Sequence, residues 1–157
     1  MKTVIKLIAS GLYVGYSPFI QGTLGSFLGV LIYLQLQQFP GIYFFAVMLL
    51  YLLGFLVSGR AEEIFGKKDS RRITIDEIAS MCAVYLFIKP TPFMIIAGFV
   101  LFRIFDIIKP PPAKRAERFI GSAGVMLDDI VAAIYTIIVL SIIYNISAAL
   151  PRNLMHN

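Results

Sequence analysis

Long apolar runs, separated by short charged or proline-containing breaks, dominate this sequence. The five runs extend from Thr23 to Phe39, from Ile42 to Val57, from Ile75 to Ile88, from Phe93 to Ile108 and from Val125 to Leu150. A helix of about 20 apolar residues spans a bilayer, so the runs predict about five membrane helices. The third and fourth runs offer only about 14 to 16 residues each, and a short hairpin buried inside the bundle is the alternative for that pair.

The breaks between the runs are typical of turns. Pro40-Gly41 separates the first two runs, and the paired prolines of Lys89-Pro90-Thr91-Pro92 disfavour helix on both sides. A charged loop extends from Gly59 to Arg72, and Pro110-Pro111-Pro112 ends the fourth run. Before the first run, the segment from Lys2 to Tyr16 predicts an amphipathic helix at the membrane interface, retained rather than cleaved as a signal peptide.

Composition agrees with a membrane location. Hydrophobic residues fill 59% of the 157 positions, charged residues fill 15%, and the mean hydropathy is +0.83. Soluble domains are about 45–50% apolar and about 25% charged, so the lipid bilayer is the expected solvent. No linker or internal repeat divides the chain. We therefore expect one domain over residues 1–157, an all-α integral membrane helical bundle with an N-terminal interfacial helix.

The net charge is +5, and most of the basic residues are concentrated in two loops. They are Arg60, Lys67, Lys68, Arg71 and Arg72 in the first loop, and Lys109, Lys114, Arg115 and Arg118 in the second. By the positive-inside rule both loops are expected on the cytoplasmic side. Basic loops between apolar runs usually orient a membrane protein, so no nucleic-acid partner is expected.

Five carboxylates lie at the edges of apolar runs, where an ionised group is costly without a partner or a function. They are Asp76, Glu77, Asp106, Asp128 and Asp129. The other four acids, Glu62, Glu63, Asp69 and Glu117, lie in charged loops. The alternating directions of the predicted helices bring the first five to the same membrane face, which is the strongest indication of a functional site.

Thr74-Ile75-Asp76-Glu77 has the pattern of a capping box, in which Thr74 and Glu77 would satisfy free amides at a helix start. Glu77 therefore has a structural alternative to a functional role. A capping box needs only one acid, so Asp76 is not explained in this way.

Arg103, Asp106 and Lys109 recur at every third position and so share one helix face. An ion pair between Arg103 and Asp106 within the helix is one interpretation. Arg103 lies well inside an apolar helix, however, where an arginine normally has an anionic partner or ligand. Phosphate suits its forked donors as well as a carboxylate does.

Asp128 and Asp129 lie one or two turns into the last apolar helix, too deep for a simple N-cap. Adjacent carboxylates raise one another's pKa unless a cation neutralises them, so a bound Mg²⁺ is favoured and a proton-carrying pair is the alternative. Near the N-terminus, the hydroxyls of Ser17, Thr23 and Ser26 accompany glycines just before a helix. Such a segment can offer backbone amides to an anion.

Four stretches taken together resemble the phosphatidylglycerophosphatase A family. They are Ser17-Pro18 with Gly22-Thr23-Leu24-Gly25-Ser26, the pair Asp76-Glu77, Phe102-Arg103-Ile104-Phe105-Asp106-Ile107-Ile108-Lys109-Pro110, and Gly124-Val125-Met126-Leu127-Asp128-Asp129-Ile130-Val131-Ala132. They occur in order across nearly the whole chain. The chain departs from the family at Gln21, where proline is expected, and at Ser122-Ala123, where glycines are expected, but the acids and the arginine are intact.

The resemblance implies an enzyme of the bacterial cytoplasmic membrane, multi-pass, with its active site on the cytoplasmic face. It would use Mg²⁺ to hydrolyse the phospholipid phosphatidylglycerophosphate to phosphatidylglycerol and inorganic phosphate. The expected metal-binding and catalytic residues are Asp76, Glu77, Asp106, Asp128 and Asp129. The expected phosphate-binding residues are Arg103, Lys109, Ser17, Thr23 and Ser26.

Other chemistries fit the sequence less well. His156, the single histidine, is close to the C-terminal end, and Cys82 lies mid-helix without a phosphate-binding loop after it. The aspartates also lack the Asp-x-Asp arrangement of enzymes that form an aspartyl-phosphate. A membrane phosphotransferase would carry a longer ladder of aspartates and glycines. A cation- or proton-coupled carrier is the alternative from another class, and would place acids near the midplane within repeated halves.

Overall fold

Helices account for all the regular structure in the part of the chain that the computed structural model describes, residues 1–88 and 90–149. They are α1 (Lys2–Ala9), α2 (Gln21–Leu36), α3 (Pro40–Phe65), α4 (Ile75–Val84), α5 (Pro92–Ile108), α6 (Ala113–Ala116) and α7 (Ser122–Ala149), with a 3-10 turn at Val14–Tyr16. The all-α prediction is confirmed. Lys89, Leu150 and His156, named above, lie outside the described residues.

Two of these helices are long and apolar enough to cross a membrane. They are α3 and the Ser122–Ile146 part of α7, each with a mean hydropathy of 2.2 over its most apolar window. Only 28% and 39% of those windows are buried within the protein. Large apolar side chains such as Phe45 and Leu52 point outward, with 72% and 57% of their surface exposed. Helices of this kind are suited to contact with lipid.

The remaining helices are shorter than the five-crossing prediction requires. With a rise of about 1.5 Å per residue, the 10 residues of α4 extend about 15 Å, roughly half of a bilayer's apolar thickness. The 17 residues of α5 reach further but also fall short of about 20. By length and composition, therefore, two helices of the described chain qualify as spans.

Several predicted boundaries are wrong by a turn or more. The loop predicted from Gly59 begins only after α3 ends at Phe65, where Gly66 adopts a left-handed conformation with φ of 67°. The N-terminal helix ends at Ala9 instead of Tyr16, because the chain turns through residues of positive φ from Gly11 to Tyr13. The third apolar run stops being helical at Val84, and the short helix α6 was not predicted.

The short helix α4 lies at the centre of the fold and packs against α2, α3 and α7. Seven of its residues besides Asp76 are buried. The helix α2 approaches it very closely, since a Cβ added at Gly29 would lie 2.9 Å from the carbonyl oxygen of Ile78 and 2.8 Å from Cβ of Met81. Just before α4, the amide of Thr74 donates a hydrogen bond of 2.9 Å to the carbonyl of Ala9 at the end of α1.

Candidate active site

Three carboxylates from two helices meet at one point in the bundle. Asp76 and Glu77 occupy the first turn of α4, and Asp129 lies about two turns into α7. Each offers an oxygen, and these oxygens all lie within 4.8 Å of one another. We call these three residues the acidic cluster. The closeness arises because the start of α4 packs against the first half of α7.

The acidic cluster lacks partners for several of its buried oxygens. Within the described residues, Oδ1 of Asp76, Oε2 of Glu77 and Oδ2 of Asp129 are buried and accept no hydrogen bond. A buried polar atom without a partner costs free energy, and three converging carboxylates also repel one another. A cation held between them would remove both penalties, so this set of hard oxygen donors fits a metal ion such as Mg²⁺.

The pKa values at the start of α4 reflect the same burial. This turn lies outside the two candidate membrane spans. Burial raises the pKa of Asp76 from 3.8 to about 7. Burial also raises the pKa of Glu77 well above 4.5, and the negative charge of Asp76 adds to the effect. The protein therefore holds these groups in a state that favours binding of a proton or a metal ion.

Arg103 and Asp106 form the ion pair that their spacing allows. Nη1 of Arg103 lies 2.7 Å from Oδ2 of Asp106, and the same nitrogen donates to Oγ of Ser26 at 3.3 Å. Gly22 at the start of α2 makes room for this arrangement. A Cβ there would lie 2.5 Å from Oε1 of Glu77 and 3.1 Å from both terminal nitrogens of Arg103.

Lys109 and Asp128 form a second charged pair. Lys109 ends α5 in a left-handed conformation, and its Nζ lies 2.6 Å from Oδ2 of Asp128 and 3.5 Å from Oε1 of Glu117. Burial alone would lower the pKa of Lys109. The hydrogen bond to Asp128 and the negative charge of Asp128 outweigh this effect, so the pKa of Lys109 is raised. The other oxygen of Asp128 accepts the amide of Asp129 at 3.0 Å. Asp128 is thus paired with a cation and lies outside the acidic cluster.

A cavity of about 120 Å³, which we call the central cavity, joins these groups. Its lining includes all five predicted carboxylates, Asp76, Glu77, Asp106, Asp128 and Asp129, together with Lys109. A second cavity of about 470 Å³ shares Glu77, Asp106 and Lys109 with it and adds Arg103 and Thr23. The gathering of five acids and two cations from α4, α5 and α7 matches the convergence that the sequence predicts.

Not every residue predicted to bind phosphate reaches the cavities. Ser17 donates a hydrogen bond to the carbonyl of Phe19 at 2.9 Å and lines a separate, mostly apolar cavity. Ser26 is fully buried, and its Oγ donates to the carbonyl of Gly22 at 2.9 Å while accepting from Arg103. Ser26 therefore positions the arginine.

The capping box predicted at Thr74 is not formed. Thr74 is the N-cap residue of α4, but its side chain makes no capping hydrogen bond and its Oγ1 is buried without a partner. Glu77 is free to turn toward Asp76 and Asp129 instead of reaching back to the helix start. This outcome removes the structural alternative for Glu77.

Two charged residues of the first basic loop enter the site without having been predicted as part of it. Arg71 lines the central cavity and the 470 Å³ cavity, and Asp69 lines the central cavity. Their sequence context, a run of charged residues, is typical of an exposed loop, so no local signal distinguishes them. Only the folding of the loop over the start of α4 brings them to the site.

Comparison with known proteins connects this geometry to a family. The sequence profile described as phosphatidylglycerophosphatase A matches residues 7–144. The chain belongs to the phosphatidylglycerophosphatase A family. Family membership makes it a phosphatase of the phospholipid class, with a lipid phosphate as the implied substrate. No solved structure matches the chain.

Curated relatives of this family member are similar to it over most of their length. A Haemophilus influenzae protein named phosphatidylglycerophosphatase A is 34% identical over 86% of this chain and 85% of its own, and an Escherichia coli protein of the same name is 31% identical over 85% and 80%. A Bacteroides thetaiotaomicron protein with the provisional name phosphatidylinositol-3-phosphatase is 32% identical over 87% and 91%. The names of the relatives thus agree on lipid phosphate hydrolysis and differ in the lipid.

Proposed function

We propose that this protein hydrolyses phosphatidylglycerophosphate to phosphatidylglycerol and inorganic phosphate, and that Mg²⁺ is required. The observation that carries the proposal is the acidic cluster, whose unpartnered oxygens converge beside a cavity lined by cations. Two of the relatives described above bear the name of this activity.

The acidic cluster would hold the metal. Asp76, Glu77 and Asp129 supply oxygens that are already gathered, so little reorganisation is needed on binding. A bound Mg²⁺ would neutralise charge on the phosphate and lower the pKa of a nearby water.

Cations on the cavity wall would bind the phosphate oxygens. Arg103 lines the 470 Å³ cavity, and its Nε has no partner within the described residues. Lys109 and Arg71 line the same cavity. Thr23, near the start of α2, adds a hydroxyl. These donors would orient the terminal phosphate and stabilise the charge that develops on its oxygens as the bond breaks.

Asp106 is placed to act as the general base. It lines both cavities but lies outside the acidic cluster, and Arg103 holds its carboxylate at 2.7 Å. In this proposal Asp106 takes the proton of the attacking water. The water oxygen forms the new bond to phosphorus as the bond to the glycerol oxygen breaks. Asp106 then passes the proton that it took to the glycerol oxygen, which becomes the hydroxyl of phosphatidylglycerol.

The same proposal places the protein in the bacterial cytoplasmic membrane, with its site on the cytoplasmic face. The apolar helices α3 and α7 suit the membrane, and the two basic loops lie beside the site at one end of the bundle. Cytoplasmic loops are enriched in lysine and arginine, which supports that orientation.

The decisive experiment is phosphate release by the purified protein in detergent, with Mg²⁺ or with excess chelator. Phosphatidylglycerophosphate and phosphatidylinositol-3-phosphate are compared at equal concentration, because the names of the relatives point to both lipids. Mg²⁺-dependent release that is faster from phosphatidylglycerophosphate is the expected result. Faster phosphate release from phosphatidylinositol-3-phosphate would mean that this lipid is the preferred substrate. Phosphate release that persists in excess chelator would contradict the requirement for Mg²⁺.

A further inference from the structure

A further cavity lies on the surface next to the site. It has a volume of about 510 Å³, and we call it the basic groove. Its lining residues are Lys67, Lys68, Asp69, Arg71, Lys114, Glu117 and Arg118. The first four come from the loop between α3 and α4, and the last three come from α6 and the residues after it. Both basic loops of the sequence therefore face one another across a single groove.

The cations of the basic groove carry uncompensated charge. Its lysines and arginines are all exposed, and none of them forms an ion pair within 4.0 Å in the described part of the chain. Of the two acids, Glu117 already interacts with Lys109 at 3.5 Å. Five positive charges thus surround a space with two carboxylates, both of which also act on Lys109, and such a space attracts an anion.

The basic groove adjoins the central cavity and shares two lining residues with it. Asp69 and Arg71 line both, and Arg71 lines the 470 Å³ cavity as well. An anion released at the acidic cluster therefore has Arg71 beside it on the way to the surface.

The two cavities that share lining residues with the central cavity differ in character. The 470 Å³ cavity is bordered by Ile20 and Ile107, whose side chains are 63% and 71% exposed. Apolar residues at the edge of a polar cavity suit a lipid that enters with its chains still in the membrane. The basic groove is lined by charged residues alone. It has no apolar side chain to receive an acyl chain, and its charged groups suit a small hydrated anion.

We propose that the basic groove binds inorganic phosphate and is the route by which this product leaves the site, separate from the side on which the lipid enters. The inference rests on the proposed function for the identity of the anion. The groove itself is a binding site whose occupancy does not require turnover, so it can be tested in the absence of catalysis.

The test is equilibrium binding of radiolabelled inorganic phosphate to the full-length protein in neutral detergent at low ionic strength. Excess chelator is present to remove any metal from the acidic cluster. The cluster then repels phosphate, so the measurement reports phosphate binding at the basic groove alone. The double variant Lys114→Gln/Arg118→Gln is compared with Arg115→Gln, which removes one exposed cation of the same helix that does not line the groove. Binding should weaken about fivefold in the double variant and stay unchanged in Arg115→Gln, since each exposed charge contributes modestly.

Four results would overturn the proposal. The first three are no phosphate binding by the unaltered metal-free protein, equal weakening by Arg115→Gln, and loss of binding in Arg103→Gln with none in the double variant. A fourth is displacement of bound phosphate by phosphatidylglycerol in mixed micelles but not by glycerol phosphate, which would identify a lipid headgroup site. If the protein binds phosphate at the groove but hydrolyses no phospholipid, the proposed function is wrong and the proposed binding site still stands.

Discussion

Asp128 and Asp129 are neighbours in the chain, but their carboxylates have different surroundings. Asp129 lies in the acidic cluster with an unpartnered oxygen, whereas Asp128 is held by Lys109 at 2.6 Å. Consecutive positions on a helix point about 100° apart, so one side chain faces α4 and the other faces the end of α5. We infer that Asp129 binds metal and that Asp128 positions Lys109 for phosphate binding.

These roles predict different losses from the same substitution. Asp129→Asn should lower kcat by about 100-fold or more and weaken the affinity for Mg²⁺, so that more Mg²⁺ is needed for half-maximal activity, because a metal-binding oxygen is lost. Asp128→Asn should cost about tenfold, mainly by raising KM, because Lys109 loses its fixed position. Steady-state kinetics over a range of Mg²⁺ concentrations measures both. Equal losses with the same Mg²⁺ dependence would contradict the assignment.

At the residue scale the sequence predicts which charges gather but not how they pair. Acids at the edges of apolar runs are exceptional on their own, so Asp76 and Asp129 could be selected without a structure. Arg71 could not, because an arginine in a basic loop is ordinary. The pairing of Lys109 with Asp128 depends on the angle between α5 and α7, which no local pattern encodes.

At the scale of the helices, the sequence predicts which helices exist but does not predict their lengths. Apolar runs bounded by prolines and glycines located α2, α3, α4, α5 and α7, because those residues interrupt helices wherever they occur. The charged end of α3 was assigned to a loop, since Glu62 and Glu63 resemble loop residues in a hydropathy pattern. A helix that extends out of an apolar environment keeps its hydrogen bonds, so charge alone does not end it.

The packing of α2 on α4 gives a prediction for a matched pair of glycines. Gly29→Ala should destabilise the protein by about 1–3 kcal/mol, because the new Cβ would meet the backbone of α4 at 2.9 Å. Gly41→Ala, near the start of α3, should be neutral or slightly stabilising, since no atom lies within 4 Å of the added Cβ. Thermal unfolding in detergent measures both. Similar midpoints for the two variants would mean that α2 packs less closely on α4 than described here.

For the molecule as a whole, the buried acids couple stability to pH. Burial raises the pKa of Asp76 from 3.8 to about 7, so between about pH 4 and about pH 7 the folded protein keeps a proton that the unfolded chain has released. The metal-free protein should therefore lose stability as pH rises through that range. Mg²⁺ competes with the proton, so its affinity should increase over the same range.

Unfolding midpoints measured across that pH range, in chelator and in Mg²⁺, test this coupling. The downward slope in chelator should flatten in Asp76→Asn, which removes the titrating group. Added Mg²⁺ should raise the midpoint most at the upper end of the range. A midpoint in chelator that rises with pH in the unaltered protein would show that the acidic cluster is not buried as described.

The order of the acids along the chain also has a consequence for biosynthesis. Asp76 and Glu77 emerge from the ribosome more than 50 residues before Asp129, and α7 is made after the other helices that the structure describes. Until α7 inserts beside α4, a nascent chain has two of the three carboxylates and only part of the cavity wall. Under the proposed function, a nascent chain without α7 therefore cannot hydrolyse the lipids around it, and activity appears only after α7 has been made.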